Sequence, residues 1–366
     1  MLTLLLRALP LLALCALPAL ASPPVTDTPY GLADFAQVRK FDAHVHANAD
    51  STAFLEQARA DGFELLSINV DYPDFPTVDQ QRQAALALAA RDPVRFHWAT
   101  TFSMRGFGEP GWLQRVEDRL EADVARGAVA VKIWKNVGMI EKDADGKLIM
   151  LDDPRLAPVA ETVQRLGVAL IDHQGEPYNC WLPLSEMTTD NDREYFRNHP
   201  EYHAWLHPEL PRYETLMAVR DRFVEAHPHL RFVGAHMASL EWSVDRLAEF
   251  LDRHPNATVD LAARMSQVQY QSLQDYNRVR NFFIRYQDRL LYGSDLTHAP
   301  GADDEAFRRD AHAFWMSDWR YLATGMTQRI DDLNADVPGL RLPRTVIDKI
   351  YYRNAVRVFG LRESVH

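Results

Sequence analysis

Cysteine is nearly absent from this sequence: 366 residues carry two, Cys15 and Cys180. Cys15 falls in an N-terminal leader described below, so the mature chain keeps Cys180 alone and cannot form an internal disulfide. Stability must come from a core, and Cys180 reads as a small buried residue rather than a nucleophile. An excess of positive charge is also missing. The formal net charge is −11, which argues against nucleic acid or an anionic membrane as partner. No glycine-rich phosphate turn follows the first strand-like run, and no internal repeat stands out. What is present, 47% hydrophobic and 25% charged residues, describes a soluble globular protein with material for a large core. Length alone suggests about two domains of ~150 residues, but α/β barrels exceed that size as one unit.

The first residues, "MLTLLLRALPLLALCALPALASPP", do not belong to such a core. Arg7 precedes an uncharged apolar run, and Ala19-Leu20-Ala21 fits a small-x-small cleavage site. The run is shorter than the ~20 residues a spanning helix needs. This predicts a secretory signal over residues 1–21 and a single domain over 22–366, periplasmic or secreted, with no stable membrane insertion after cleavage. A retained N-terminal anchor is the alternative.

Beyond the leader, eight apolar runs of strand length alternate with amphipathic stretches of helical period: "RKFDAHVH", "FELLSINV", "RFHWATTF", "AVAVKIW", "VALIDHQ", "RFVGAHM", "ATVDLAA" and "RLLYGSD". Mostly continuous apolar runs suit parallel strands covered on both faces. Eight of them with helices between predict an α/β fold, a (β/α)8 TIM barrel. A doubly wound open sheet usually carries fewer strands. Two connections exceed plain βα loops, one after strand five (residues 176–212) and one after strand eight (residues 297–344). Long ordered loops there shape the catalytic face.

The C-terminal ends of those strands hold a series of polar residues. "KFDAHVHANAD" places His44 and His46 two apart, on the same side of strand one. Strand four ends with Lys132, strand five with His173, strand six with His236 and strand eight with Asp295. Neutral imidazoles ligate zinc and similar ions, and a carboxylate beside them can ligate the ion or accept a proton from water. Lysine offers a metal no lone pair as an ammonium, so Lys132 fits only if carboxylated to a carbamate or if it binds an anionic substrate.

Taken together, His-x-His on strand one, Lys on four, His on five and six, and "GSD" on eight resemble the amidohydrolase superfamily. "LLYGSDLTH" and "IDKIYYRNAVRVFG" are similar in particular to its amidohydrolase-related branch. The resemblance spans about Lys40 to Gly360. It implies that His44, His46 and Asp295 hold a first divalent ion, with zinc the expected metal. His173 and His236 would then hold a second, bridged by carboxylated Lys132. Mononuclear members imply instead His44, His46, His173 and Asp295 as ligands, with His236 steering water or substrate.

Other candidates carry weaker signals. Arg264, past strand seven, is placed to bind a substrate carboxylate at the rim. Tyr202 and His203 are placed to line the pocket, and Glu176 to orient His173. Asp42 is expected on the histidines' face, beneath them, and Lys135 on the face opposite Lys132.

The main functional expectation is a secreted metal-dependent hydrolase. A metal-bound hydroxide attacks a lactone, cyclic amide, ester or amide, with Asp295 as general base and His236 assisting. The alternative is a mononuclear, nonoxidative decarboxylase of an aromatic or unsaturated acid. A barrel using its ligands only structurally would need no more than four of them. The expected partner is a small-molecule substrate, and a homo-oligomer stays open.

Overall fold

A computed structural model describes residues 28–362; the leader, with its cleavage site and Cys15, lies outside them. Strands β1 (Lys40–Ala47), β2 (Phe63–Ile68), β3 (Phe96–Thr101), β4 (Ala128–Ile133), β5 (Ala169–Asp172), β6 (Phe232–Gly234), β7 (Ala257–Asp260) and β8 (Leu290–Leu291) pair in parallel, each with the next. A further short strand, β9 (Leu296–His298), continues the eighth run and pairs in parallel with β1. Between the two pieces, the amide of Ala43 donates to the carbonyl of Tyr292 at 2.8 Å, and that of Asp295 to the carbonyl of His44 at 2.8 Å. These bonds close the sheet on itself, and the fold is a (β/α)8 barrel.

The alternation of each strand sorts its side chains into two layers. Phe41, Leu66, Ala99, Ala130, Ile171, Val233 and Leu291 fill the barrel, capped from below by Phe359 of the last helix. Phe63, Trp98, Val131, Leu170, Phe232 and Val259 face the surrounding helices. The first strand breaks this alternation. Its register shifts between Asp42 and Val45, so Phe41 and Ala43 lie in the inner cluster while Val45 and Ala47 lie in the outer one. A bulge of this kind re-aims side chains at a barrel rim. Here it turns His44 and His46 inward and leaves Asp42 outside the barrel, against the expectation of a shared face. Asp42 accepts from the Trp315 indole at 2.8 Å and from the Ser294 amide at 3.0 Å, tying β1 to the eighth strand and its helix.

Helices occupy the amphipathic stretches between the strands, among them Val78–Arg91, Trp112–Ala125 and Tyr213–Ala226. After β5 the chain passes through four short 3-10 turns and the helix Asp190–Asn198. The second long connection is not a loop. It contains a helix of 20 residues, Asp304–Ala323, followed by the hairpin strands Thr327–Ile330 and Ala335–Pro338. Asp303 caps that helix, accepting from the amides of Glu305 and Ala306 at 2.9 Å. Among the described residues no helix is long and apolar enough to cross a membrane.

Asp318 on that helix is buried, and burial pushes its carboxyl from 3.8 up to about 7 against the bond donated by Tyr292 Oη at 2.9 Å. Its pKa is therefore higher folded than unfolded. The associated stability is complete below the unfolded pKa near 4 and is lost as the pH rises through 7. Asp318→Asn cannot ionise, so its stability relative to wild type should rise by on the order of 2–4 kcal/mol between pH 4 and 8. Thermal melts of both proteins across that range check it; a constant difference would exclude the buried acid.

Candidate metal centre

The inward turn of β1 brings His44 and His46 to the mouth of the barrel, and the hydrogen bonds around them fix which nitrogen is free. His44 Nδ1 donates to Asp260 Oδ2 at 2.8 Å, His46 Nδ1 to the Ile68 carbonyl at 2.7 Å, and His236 Nδ1 to the Ala262 carbonyl at 2.9 Å. A carbonyl only accepts, so the proton sits on Nδ1 and Nε2 carries the lone pair. Asp295 Oδ1 lies 3.2 Å from His46 Nε2 and 3.4 Å from His44 Nε2. Lone pairs of two imidazoles and a carboxylate thus converge with no proton between them, which is the donor arrangement of a cation site. His44, His46 and Asp295 form a group able to hold an ion.

The remaining strand ends complete the ring. The His236 ring centroid is 4.7 Å from that of His44 and 4.2 Å from that of His173. Among the described residues, His173 Nε2 and Lys132 Nζ are buried without a hydrogen-bond partner. Orphaned buried polar atoms are rare in native proteins, and both line the same cavity of about 150 Å³ as the two histidines of β1, His236 and Asp295. Burial, followed by Lys132 and other nearby cations, holds His173 well below its ordinary pKa; burial does the same for His236. These two imidazoles are therefore neutral, as ligands must be. Burial raises the Asp295 carboxyl, but His44, His46 and Arg264 outweigh it and hold it well below the usual carboxylate range. Burial lowers the Lys132 amine from 10.5 to about 8, against the attraction of Asp260, Asp295 and Asp172. These residues fit a divalent ion.

His236 depends on an unusual turn. It and the next three residues, Met237, Ala238 and Ser239, all have φ between 54° and 58°, a left-handed conformation costing roughly 1–2 kcal/mol per residue. Such strain persists where surrounding contacts over-determine it. The His236 amide donates to Asp260 Oδ1 at 2.7 Å, Ser239 Oγ to the Gln174 carbonyl at 2.7 Å, and Arg220 and Tyr213 donate to the carbonyls of Ala238 and Ser239. A Cβ on Gly234 would stand 2.5 Å from the Ala238 Cβ, so only glycine lets the turn fold back on β6.

Asp260, at the end of β7, was not among the expected residues. One of its oxygens orients His44 and the other holds the His236 amide. Its signal was available: a lone acid inside the otherwise uncharged run "ATVDLAA".

The weaker candidates sort differently. Glu176 pairs with Lys135 rather than with His173. Lys135 itself lines the cavity; β4 ends at Ile133, and strand alternation does not extend past it. His203 is buried in the post-β5 segment, its Nε2 bonding the Leu182 carbonyl at 2.8 Å and its ring stacked on Phe196. It does not line the cavity. Tyr202 is exposed, beside Tyr195 and His199. Cys180 is free and buried in the same segment, and burial pushes its thiol up. Arg264 is buried rather than at a rim; it makes no ion pair among the described residues, and its Nη1 donates to the Ala263 carbonyl at 2.9 Å. The cavity wall also holds Val70, Tyr72, Phe75, Trp134 and Thr297.

The amidohydrolase family model matches residues 6–361. Among solved structures, the chain is similar to 2,6-dihydroxybenzoate decarboxylase from Rhizobium, with 16% identity and a TM-score of 0.52 over 88% of this chain and 98% of that one. It is also similar to a probable 2-pyrone-4,6-dicarboxylic acid hydrolase from Acinetobacter baumannii, with 13% identity and a TM-score of 0.50 over 88% of this chain and 100% of that one. No curated protein matches the sequence.

Proposed function

The chain belongs to the amidohydrolase family, and on that premise we propose that it is a metal-dependent hydrolase of a lactone, cyclic amide, ester or amide, working in the periplasm or outside the cell. The observation that carries this reading is the convergence of Asp295 Oδ1 with the Nε2 lone pairs of His44 and His46. His44, His46 and Asp295 would hold one ion. His173 and His236 would hold a second, with carboxylated Lys132 between the two. Four imidazoles in the set favour zinc. An ion bound there supplies Lewis acidity to a carbonyl oxygen and a lowered pKa to water.

The chain's own residues do the rest. Asp295 is anionic, and its side chain is 30% exposed where those of His44 and His46 are 1% and 8%. It is the carboxylate substrate and water can reach, and so the group placed to take a proton from water and return it to the leaving group. Asp260 and the carbonyls of Ile68 and Ala262 keep His44, His46 and His236 in their ligand tautomers. With its pKa near 8, the Lys132 amine keeps a neutral share at pH 7. The neutral amine is the form that adds carbon dioxide, giving a carbamate and releasing one proton.

The same amine supports a second reading. Left as an ammonium, buried and unpartnered, Lys132 would hold a substrate carboxylate beside a single ion, the arrangement of a mononuclear nonoxidative decarboxylase of an aromatic or unsaturated acid. Turnover in ¹⁸O-labelled water separates the two. One solvent oxygen in the product is the hydrolase result; carbon dioxide released with none incorporated would overturn it.

A further inference from the structure

The cavity around the histidines encloses about 150 Å³, below the roughly 300–1,000 Å³ usual for ligand pockets. Much of a substrate must therefore lie outside it. Asp295 and Thr297 also line a second chamber, of about 570 Å³, which shares no residue with the aromatic wall. It opens where the eighth run breaks: Asp295, with φ of 68°, stands between β8 and β9. Three elements enclose it. They are the helix Met265–Gln274 after β7, the helix Asp304–Ala323, and the hairpin, whose turn begins with Asp331 and Asp332.

Met265, Ser266 and Gln269 share one face of their helix, three and four residues apart, and all three line the chamber. Gln269 is 3% exposed, yet its carboxamide makes no hydrogen bond among the described residues. A buried polar group without a partner costs free energy, so an unpaired amide on a cavity wall marks a place for a ligand.

The charges indicate which kind. The charged wall residues are Asp295, Asp318, Asp331 and Asp332 against Arg329 alone, which disfavours an anion. Arg329 donates to Asn334 Oδ1, Asp318 accepts from Tyr292 Oη, and Asp295 belongs to the metal centre. Asp331 and Asp332 are left, with no ion pair and no side-chain hydrogen bond among the described residues. Asp332 is half-buried; burial, then Asp192 and Asp331, pushes its carboxyl up, and Arg329 does not offset them. Asp192 offers it nothing, since its Oδ2 already accepts from Asn179, Thr189 and Gln267. A positive group would relieve both acids.

We propose that this chamber is a subsite for a cationic arm of the substrate: an ammonium at the end of the arm is held by Asp331 and Asp332 and bonded by Gln269 Oε1. The inference deepens the hydrolase reading and rests on it only for which end of the molecule reacts. An ammonium has three donors and no acceptor, which suits two carboxylates and an amide oxygen.

Binding tests this without turnover. Dissociation constants of the full mature chain, loaded with its metal, are measured by calorimetry for alkyl hydroxamates, whose head chelates an ion, with tails of four, six and eight carbons. Each tail ends in methyl, hydroxyl or ammonium. At one length the ammonium should bind about tenfold tighter than the methyl, with the advantage shrinking in high salt. Asp331→Asn with Asp332→Asn should abolish that advantage and leave methyl-tail binding and metal content unchanged. Gln269→Leu, which keeps both acids, should cut it to about threefold. No advantage at any length, a hydroxyl tail equal to the ammonium one, or an advantage surviving either variant in full would overturn the subsite. Elemental analysis of the same samples reads the metal centre separately. A metal-free wild type would sink the hydrolase reading, while the comparison of ammonium with methyl tails would still be read.

Discussion

His46→Ala should lose the bound ion and lower kcat/KM by at least about 10³-fold while leaving the fold in place. The size follows from what the side chain supplies. With Nδ1 held by the Ile68 carbonyl, Nε2 is one of three donor atoms converging on one point, and losing the ion removes both carbonyl polarisation and water activation. The barrel tolerates the change because His46 sits at the mouth, above the inner layer of Phe41, Leu66 and Ile171. Two comparisons make the result specific. Asp260→Asn keeps every donor atom and disturbs only the orientation of His44 and the His236 turn, so a loss of 10–100-fold is expected. His203→Ala, in the post-β5 segment, should leave metal content unchanged. Elemental mass spectrometry and steady-state kinetics on the three variants check the order; equal losses in His46→Ala and His203→Ala would contradict it.

The second large effect is on Asp295. Asp295→Asn is nearly isosteric, so the ring of histidines stays in place, but the amide cannot take a proton from water. General-base loss costs about 10²–10⁴ in rate, and Asp295 is also a ligand, so kcat should fall toward the upper end of that range. KM should change little, because the aromatic wall of the cavity is untouched. A rise confined to KM, with kcat unchanged, would mean that Asp295 binds substrate rather than moving a proton.

Much of the centre was legible because strand ends are regular. Parity alone put His44 and His46 together, and the apolar runs before Lys132, His173 and Asp295 marked where the strands stop. The exceptions are places where tertiary contacts override local pattern. The bulge in β1 moves Asp42 out of the barrel, and nothing in "KFDAHVH" distinguishes that strand from a regular one. The left-handed turn at residues 236–239 contains no glycine; Arg220, Tyr213 and Asp260 impose it, and they come from other elements. Lys135 reaches the cavity because alternation stops with β4. The helix Asp304–Ala323 was readable from Asp303 ahead of it, an N-cap residue whose carboxylate satisfies two free amides. The wall of Tyr72, Phe75 and Trp134 was not, since its pieces come from separate loops that only the closed barrel brings together.

The most direct measurement is the metal content per chain of the purified mature protein, grown metal-replete, for wild type and Lys132→Ala. The account predicts about two ions in wild type and a fall when the lysine is removed. A wild-type chain that binds no ion under those conditions would contradict it, because the lone pairs of His44, His46 and Asp295 would then converge on nothing.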